Sequence, residues 1–495
     1  MEPGHPARAT GDDRPRRQRH QQQPSRYLAR LSQQAEGRRL NFTTAVSSSR
    51  FNRSLVRPVL ALAFPVALSS QLDTLAGLAD VFLVRDLGAD AISAVGVSQI
   101  VTMVVGVVMI SVSTGAFTMV AQAIGAGSPV EASATTKQAF TLVTLVSIAL
   151  SLIGIITSRF ALEMLSMPPA IIELGTPYLR VFFAGLVFMT LNFTLSNCLY
   201  GAGETRIPLY LNGFMGLLKI ALSYLLIFGI GPFPELGVTG AALSAVISRA
   251  AGFLLGMVLL YSDRMPLRLL PGTSYFPDRA RAQRMLRIGI PSAMQGLFRN
   301  GSGVVFLKLI ALTAAPITAV AAYSIGNQME RIIRRTSLAF GTAATTLVGQ
   351  NLGAQDQQAA VQSGWTATLV GALSMALLGL PLAWFAPEIM GFFTVEPAII
   401  RVGVIYIYAI ALAEPFQCLA IGAGGALRGA GDTKPALYYT IISQWLVRLP
   451  AGYALAFWLH WDTSGLWVSL VAFSVLQALL TIRKFTEGSW QNREI

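Results

Sequence analysis

The sequence predicts an all-α polytopic membrane protein, with twelve transmembrane helices in two pseudo-symmetric six-helix lobes built as parallel repeats. Three observations predict it. Hydrophobic residues fill 53% of the 495 positions and charged residues only 12%, about half the charged share of a soluble domain. Apolar stretches long enough to span hydrocarbon follow one another from Arg57 to about Lys484, since about 20 residues at about 1.5 Å rise cover the bilayer core. Short motifs of the first half also return in the second at a constant offset.

The elements follow in order. Residues 1–56 mix arginine with glutamine, serine and proline, too polar to bury a core, so a disordered tail is expected. Its positive charge places the N-terminus in the cytoplasm. It has no apolar h-region of a secretory signal, and Asp12, Asp13 and Glu36 speak against an organellar transit peptide. The first lobe, 57–263, holds apolar segments near 58–83, 91–124, 134–158, 170–199, 207–230 and 237–262. An inter-lobe stretch, 264–284, carries Arg264, Arg268, Arg279, Arg281 and Arg284, and is therefore expected on the cytoplasmic side. That side is reached only after an even number of crossings, and six satisfies it. The second lobe, 285–484, has segments near 285–312, 317–351, 361–386, 397–427, 435–458 and 464–482, before a short cytoplasmic tail at 485–495. The opposite loops hold Arg85, Asp86, Asp90, Arg159, Glu163, Glu235, Glu388, Glu396 and Asp462, with little positive bias.

The repeat supports the same count. YGAGETRIP at Tyr200 answers RGAGDTKP at Arg428, and Gly201 lies 228 positions before Gly429. The same offset relates VAQAIGAG, with Gln122 and Gly125, to VGQNLGAQ, with Gln350 and Gly353. Several motifs at one offset mark a true internal repeat. Two six-crossing halves enter from the same side, which makes them parallel and leaves a cleft between them for a substrate.

Other classes lose ground. The net charge of +13 is concentrated in the leading tail and the inter-lobe stretch, which argues against nucleic acid as a partner. His5, His20 and His460 are scattered, so no metal cluster is expected. Cys198 and Cys418 lie in apolar segments and imply no disulfide framework. No GxxxxGK[ST] run offers an ATP site, and no acid-rich loop suggests an intramembrane transferase. The chain is not expected to be an enzyme.

The first apolar segment carries two carboxylates, Asp73 and Asp80. Seven residues is nearly two helical turns, so they share a face about 10 Å apart. A carboxylate against lipid is costly, so this face should look into a cavity.

PVALSSQLDTLAGLADVFLVRDLGADAISAVG, the VAQAIGAG and VGQNLGA turns, GAGETRIP and ALRGAGDTK together resemble the multidrug and toxic compound extrusion (MATE) transporters. The resemblance covers roughly 430 residues, from Arg57 to about Lys484. It implies twelve helices in two lobes and export of small organic or xenobiotic compounds by alternating access at the plasma membrane. It also implies drive by a proton or sodium gradient, with no cofactor beyond the coupling ion. Asp80 falls where the bacterial branch with a first-helix acid holds that acid. The branch's NxxxD in the fifth helix is replaced here by Lys219 and Ser223, which puts a sodium site in doubt and tilts the expectation toward protons. Lys219 is expected to pair with Asp80; snorkelling toward headgroups is the alternative, less suited to a lysine about 17 Å along its helix.

Expected cavity residues are Asp73, Asn192, Ser196, Arg299, Glu330, Glu414 and Gln417. Each has a structural alternative: Asn192 and Ser196 as helix-packing hydrogen bonders, and Glu330 as a local partner of Arg334 one turn on. The positive excess of the second lobe suggests tolerance of an anionic or zwitterionic substrate. A lipid-linked oligosaccharide flippase of a related fold is the runner-up function. Membrane lipid is the expected surround, and a monomer the expected working unit.

Overall fold

The computed structural model describes residues 51–262 and 265–491, without the side chains at 80, 81, 99, 100, 103–105, 107 and 108. The expected basic tail falls almost wholly outside the described residues, as does the side chain of Asp80. After one 3-10 turn at Arg53–Leu55, the first half comprises α1 (Val56–Arg85), α2 (Ala89–Gly125), α3 (Pro129–Met164), α4 (Pro169–Ala184), α5 (Leu186–Gly201), α6 (Arg206–Phe228) and α7 (Gly237–Leu260). The second comprises α8 (Arg279–Ile310), α9 (Pro316–Gly353), α10 (Gln357–Trp384), α11 (Ala386–Phe393), α12 (Pro397–Gly429), α13 (434–458) and α14 (Asp462–Thr486). No strand occurs among the described residues.

Local sequence explains the boundaries. Pro129, Pro169, Pro316 and Pro397 open their helices in the first turn, where the missing N–H costs nothing. Past the ends of α5 and α12, Gly203 and Gly431 adopt φ of 81° and 73°, a left-handed conformation that glycine takes without steric penalty. Seven described helices are long and apolar enough to cross a membrane, and the pair α4 and α5 makes an eighth, bent by 49°. The expected single helix at 170–199 is therefore two pieces. The bend falls at Gly185, whose position against Val246 leaves no room for a Cβ. The eleventh expected segment differs too: α13 widens into π-helical turns at Ile441–Arg448 and Ala454–Trp458, on either side of Pro450.

The stretch between the halves is a strap rather than a free loop. Met265, Leu267 and Leu269 are buried in one core with residues of α2 and α3. Lys137 donates from Nζ to the carbonyls of Leu270 and Thr273 at 2.7 and 3.2 Å. The Leu270 amide donates to Ser133 Oγ at 2.8 Å. Arg281 then grips Glu131 through two bonds of 2.9 and 2.7 Å, the bidentate arrangement a guanidinium makes best.

The halves are interlaced. α8 crosses α2 so closely that a Cβ on Gly115 would overlap the Met285 backbone, and one on Gly289 the Ser111 backbone. Its counterpart α1 packs on α9, with Val59, Ala63 and Val66 in one core with Ala339 and Ala343. At the end bearing the GAGETR and GAGDTK turns, α2 and α9 meet: Gly125 abuts the Gln350 carbonyl and Gly353 the Gln122 carbonyl. Small residues permit such crossings where lipid provides no hydrophobic push. Four further bonds cross the midline there in symmetric pairs. Thr118 Oγ1 donates to the Arg428 carbonyl and Gln122 Nε2 to the Gly429 carbonyl, at 3.0 and 2.9 Å. Thr346 Oγ1 donates to the Tyr200 carbonyl and Gln350 Nε2 to the Gly201 carbonyl, at 2.8 and 3.0 Å. Each bond of one pair lies 228 positions from its mate in the other.

Two outcomes follow from this geometry. Gly125→Val forces two backbones apart at a cost of about 1–3 kcal/mol; in a Cys198→Ser, Cys418→Ser background, alkylation of a cysteine placed at Thr346 should accelerate, and an unchanged rate would rule out a seal at this crossing. Gln355 holds φ of 61° where its repeat mate is Gly127 at 65°, so Gln355→Gly should raise thermal stability by up to about 1 kcal/mol in a melting experiment.

Candidate functional site

Above the crossing lies a cavity of about 620 Å³ lined from both halves. α1 supplies Ser69, Ser70 and Asp73; α5 supplies Asn192, Ser196 and Tyr200; α6 supplies Asn212 and Lys219. Arg249 enters from α7, Arg335 and Thr342 from α9, and Arg428 from α12. Tyr200 and Arg428 are repeat mates, and their carbonyls accept the threonine bonds of the crossing. The same two residues thus form part of the seal with their backbones and part of the cavity wall with their side chains.

Asp73 stands 3.6 Å from Arg335, and both are substantially exposed to the cavity. Such a pair contributes little stability, about 0–1 kcal/mol, so its value is positional: Arg335 also donates to the Ser70 carbonyl at 2.9 Å, tying α9 to α1. Lys219 Nζ reaches the Ala76 carbonyl of α1 at 3.4 Å, one helical turn before position 80. Asn192 donates to the carbonyl of Arg249, so it holds α5 against α7 while facing the cavity. Ser223 is fully buried, 2.6 Å from Ser244 Oγ across the α6–α7 seam.

The expected site divides in two. Asp73, Asn192, Ser196 and Lys219 share the cavity, while Arg299, Glu330, Glu414 and Gln417 do not line it. This corrects the expectation for those four. Glu330 is only 6% exposed, holding Arg334 and the Tyr406 hydroxyl, both at 2.8 Å, beside the packed rings of Tyr323, Tyr406 and Trp467. Glu414 is buried, accepts from Ser337 Oγ at 3.2 Å, and leaves its Oε1 without a partner. Arg448 lies over Phe306, 3.9 Å from the ring centroid. Arg299 is half-buried on α8, and Gln417 half-buried along α12. The second half spends these polar groups inside its own packing.

Sequence reasoning missed Arg249, Arg428, Tyr200 and Asn212. A signal existed for Arg249, a cation inside an otherwise apolar helix. Arg428 was masked by its place in a turn motif. A second cleft, of about 610 Å³ at the start of α1, is walled by Arg53, Arg57, Arg206 and exposed Phe64. It draws on the first half alone, so it lacks the two-sided setting of the central cavity.

Among the described residues no group of histidine, cysteine or carboxylate side chains could hold a metal ion. With charged, polar and apolar side chains on its wall, the arrangement can bind and orient a solute.

Known proteins share this architecture. The MatE family model matches residues 65–225 and again 291–454, once in each half. A "Probable multidrug resistance protein NorM" of Thermotoga maritima is 28% identical over 445 residues, covering 89% of this chain and 94% of its own. An "FAD transporter" of Shewanella oneidensis is 28% identical over 327 residues, 66% of this chain and 71% of its own. A solved outward-facing multidrug resistance MATE family transporter superposes with a TM-score of 0.80 at 20% identity, across 90% of this chain and all of that one. These matches favour a two-lobed transporter and do not favour the flippase alternative. With one family model recurring in both halves over most of its length, the chain belongs to the MatE family.

Proposed function

We propose that this MatE-family efflux transporter is a proton-driven antiporter that exports small organic solutes from the central cavity, with Asp80 and Lys219 as its coupling pair. The observation that carries the reading is a charged cavity shared by two repeated halves and sealed at one end by matched hydrogen bonds. Breaking that seal while closing the opposite rim exposes the cavity to the other side, which is alternating access. The names of the relatives, a multidrug resistance protein and an FAD transporter, support a small organic cargo.

The coupling assignment rests on the first helix and on α6. Lys219 approaches α1 one turn before position 80, and a carboxylate and an ammonium at this depth each need a partner. A fixed cation beside the acid repels sodium and suits exchange of a proton. Ser223, one turn further along α6, is buried against Ser244 of α7 and so braces the helix that carries Lys219. The basic stretches support placement in the plasma membrane with both termini cytoplasmic, the chain working as a monomer in contact with lipid.

Proteoliposomes loaded with fluorescent dyes should lose them under an imposed proton gradient and not under a sodium gradient; sodium-driven efflux alone would overturn the proton assignment. Asp80→Asn should retain less than a tenth of the flux. Lys219→Met should change the pH profile of exchange, because it removes the cation paired with the coupling carboxyl. An unshifted pH profile would exclude the pairing.

A further inference from the structure

Charge in the central cavity is one-sided. Arg249, Arg335, Arg428 and Lys219 line it, and Asp73 is the one carboxylate among its described lining side chains. Asp73 is already engaged by Arg335. Lys219 reaches across to α1. Arg249 bonds the Ala245 carbonyl one turn back at 3.3 Å, an acceptor that neutralises no charge. Arg428 lines the cavity with its side chain, and among the described residues it is its backbone carbonyl, not its guanidinium, that is engaged in a hydrogen bond. A guanidinium held between helices without a counter-charge is costly, and an entering oxyanion removes that cost.

We propose that the cavity takes a small organic anion, its carboxylate or phosphate group received by Arg428, with Arg249 and Arg335 on the walls. The planar fork of a guanidinium matches both oxyanions. Met189, Met215 and Phe193 line the same cavity and supply an apolar surface for the body of the molecule. Of the described charged side chains on its wall, only Asp73 would attract a cationic solute. The Arg428 carbonyl accepts the Thr118 bond of the seal, so an anion on its side chain loads a residue that helps hold the cavity shut. This deepens the efflux reading and rests on the central cavity being the transport site.

The test measures binding of three probes with one aromatic body, 2-naphthoate, 2-naphthyl phosphate and 2-naphthylmethylammonium, to the full-length protein in nanodiscs, with empty nanodiscs as the partition background. Both anions should bind at least tenfold more tightly than the ammonium compound, and their ratio separates carboxylate from phosphate as the preferred group. Arg428→Gln should weaken anion binding at least tenfold and Arg249→Gln at least threefold. Arg428→Lys should recover part of the loss, whereas a merely structural role would leave lysine no better than glutamine. Equal affinity for all three probes, anion affinity unchanged in both glutamine variants, or lysine no better than glutamine would overturn the proposal. Gradient-driven efflux of the same probes distinguishes the two readings: anion binding without efflux upholds this site and removes the antiporter, while efflux of the ammonium probe without anion binding does the reverse.

Discussion

Gly201 and Gly429 lie in the last turns of α5 and α12, where backbone carbonyls have no partner within their own helix. Hydrocarbon provides none either, so such groups must be satisfied by protein or by water. Here each half caps the other: Gln350 reaches Gly201 and Gln122 reaches Gly429. Parting the halves at this end strips both carbonyls and both amides at once, which is tolerable only if water enters as they separate. The seal and the wetting of the cavity are therefore linked, with the same four bonds at stake on both sides of the midline. The glycine crossing beneath it closes the same end, because Gly125 and Gly353 let the two backbones meet without an intervening side chain.

The repeat supplies the frame and then departs from itself where chemistry is needed. The positions that hold the seal are the same in both halves, but the side chains at its centre are Tyr200 in one and Arg428 in the other. The first half leaves its polar residues facing the cavity. The second folds Glu330, Arg334, Tyr406 and Glu414 into its interior. Two-fold symmetry thus governs the mechanics, while the binding surface is asymmetric, as recognition of an asymmetric solute requires.

Much of the fold was legible in the sequence because its causes are local or repeated. Hydrophobic runs set helix lengths, and the 228-residue offset exposed the two halves. The bend at Gly185 and the π-helical turns around Pro450 were not legible, since both depend on neighbours distant in sequence, such as Val246 against Gly185. The cavity was half legible. Asp73, Asn192, Ser196 and Lys219 stood out as polar residues in apolar helices, and they do face it. Glu330 and Glu414 stood out for the same reason yet are buried elsewhere, because helical periodicity tells which residues share a face but not which helix that face meets.

The interlacing of α1 and α8 has a consequence for synthesis. Met285 and Ile288 of α8 complete the core that α2, α3 and the strap begin, while Val59, Ala63 and Val66 of α1 belong to a core otherwise built from α9, α10, α12 and α14. Segments emerge from the ribosome in chain order, so α1 can meet α6 within the first half but must wait for α9, α10, α12 and α14 before its other flank is covered. The core of the first half is completed by α8, after the strap, and a nascent chain stalled at the strap would hold α1 with one flank bare to lipid.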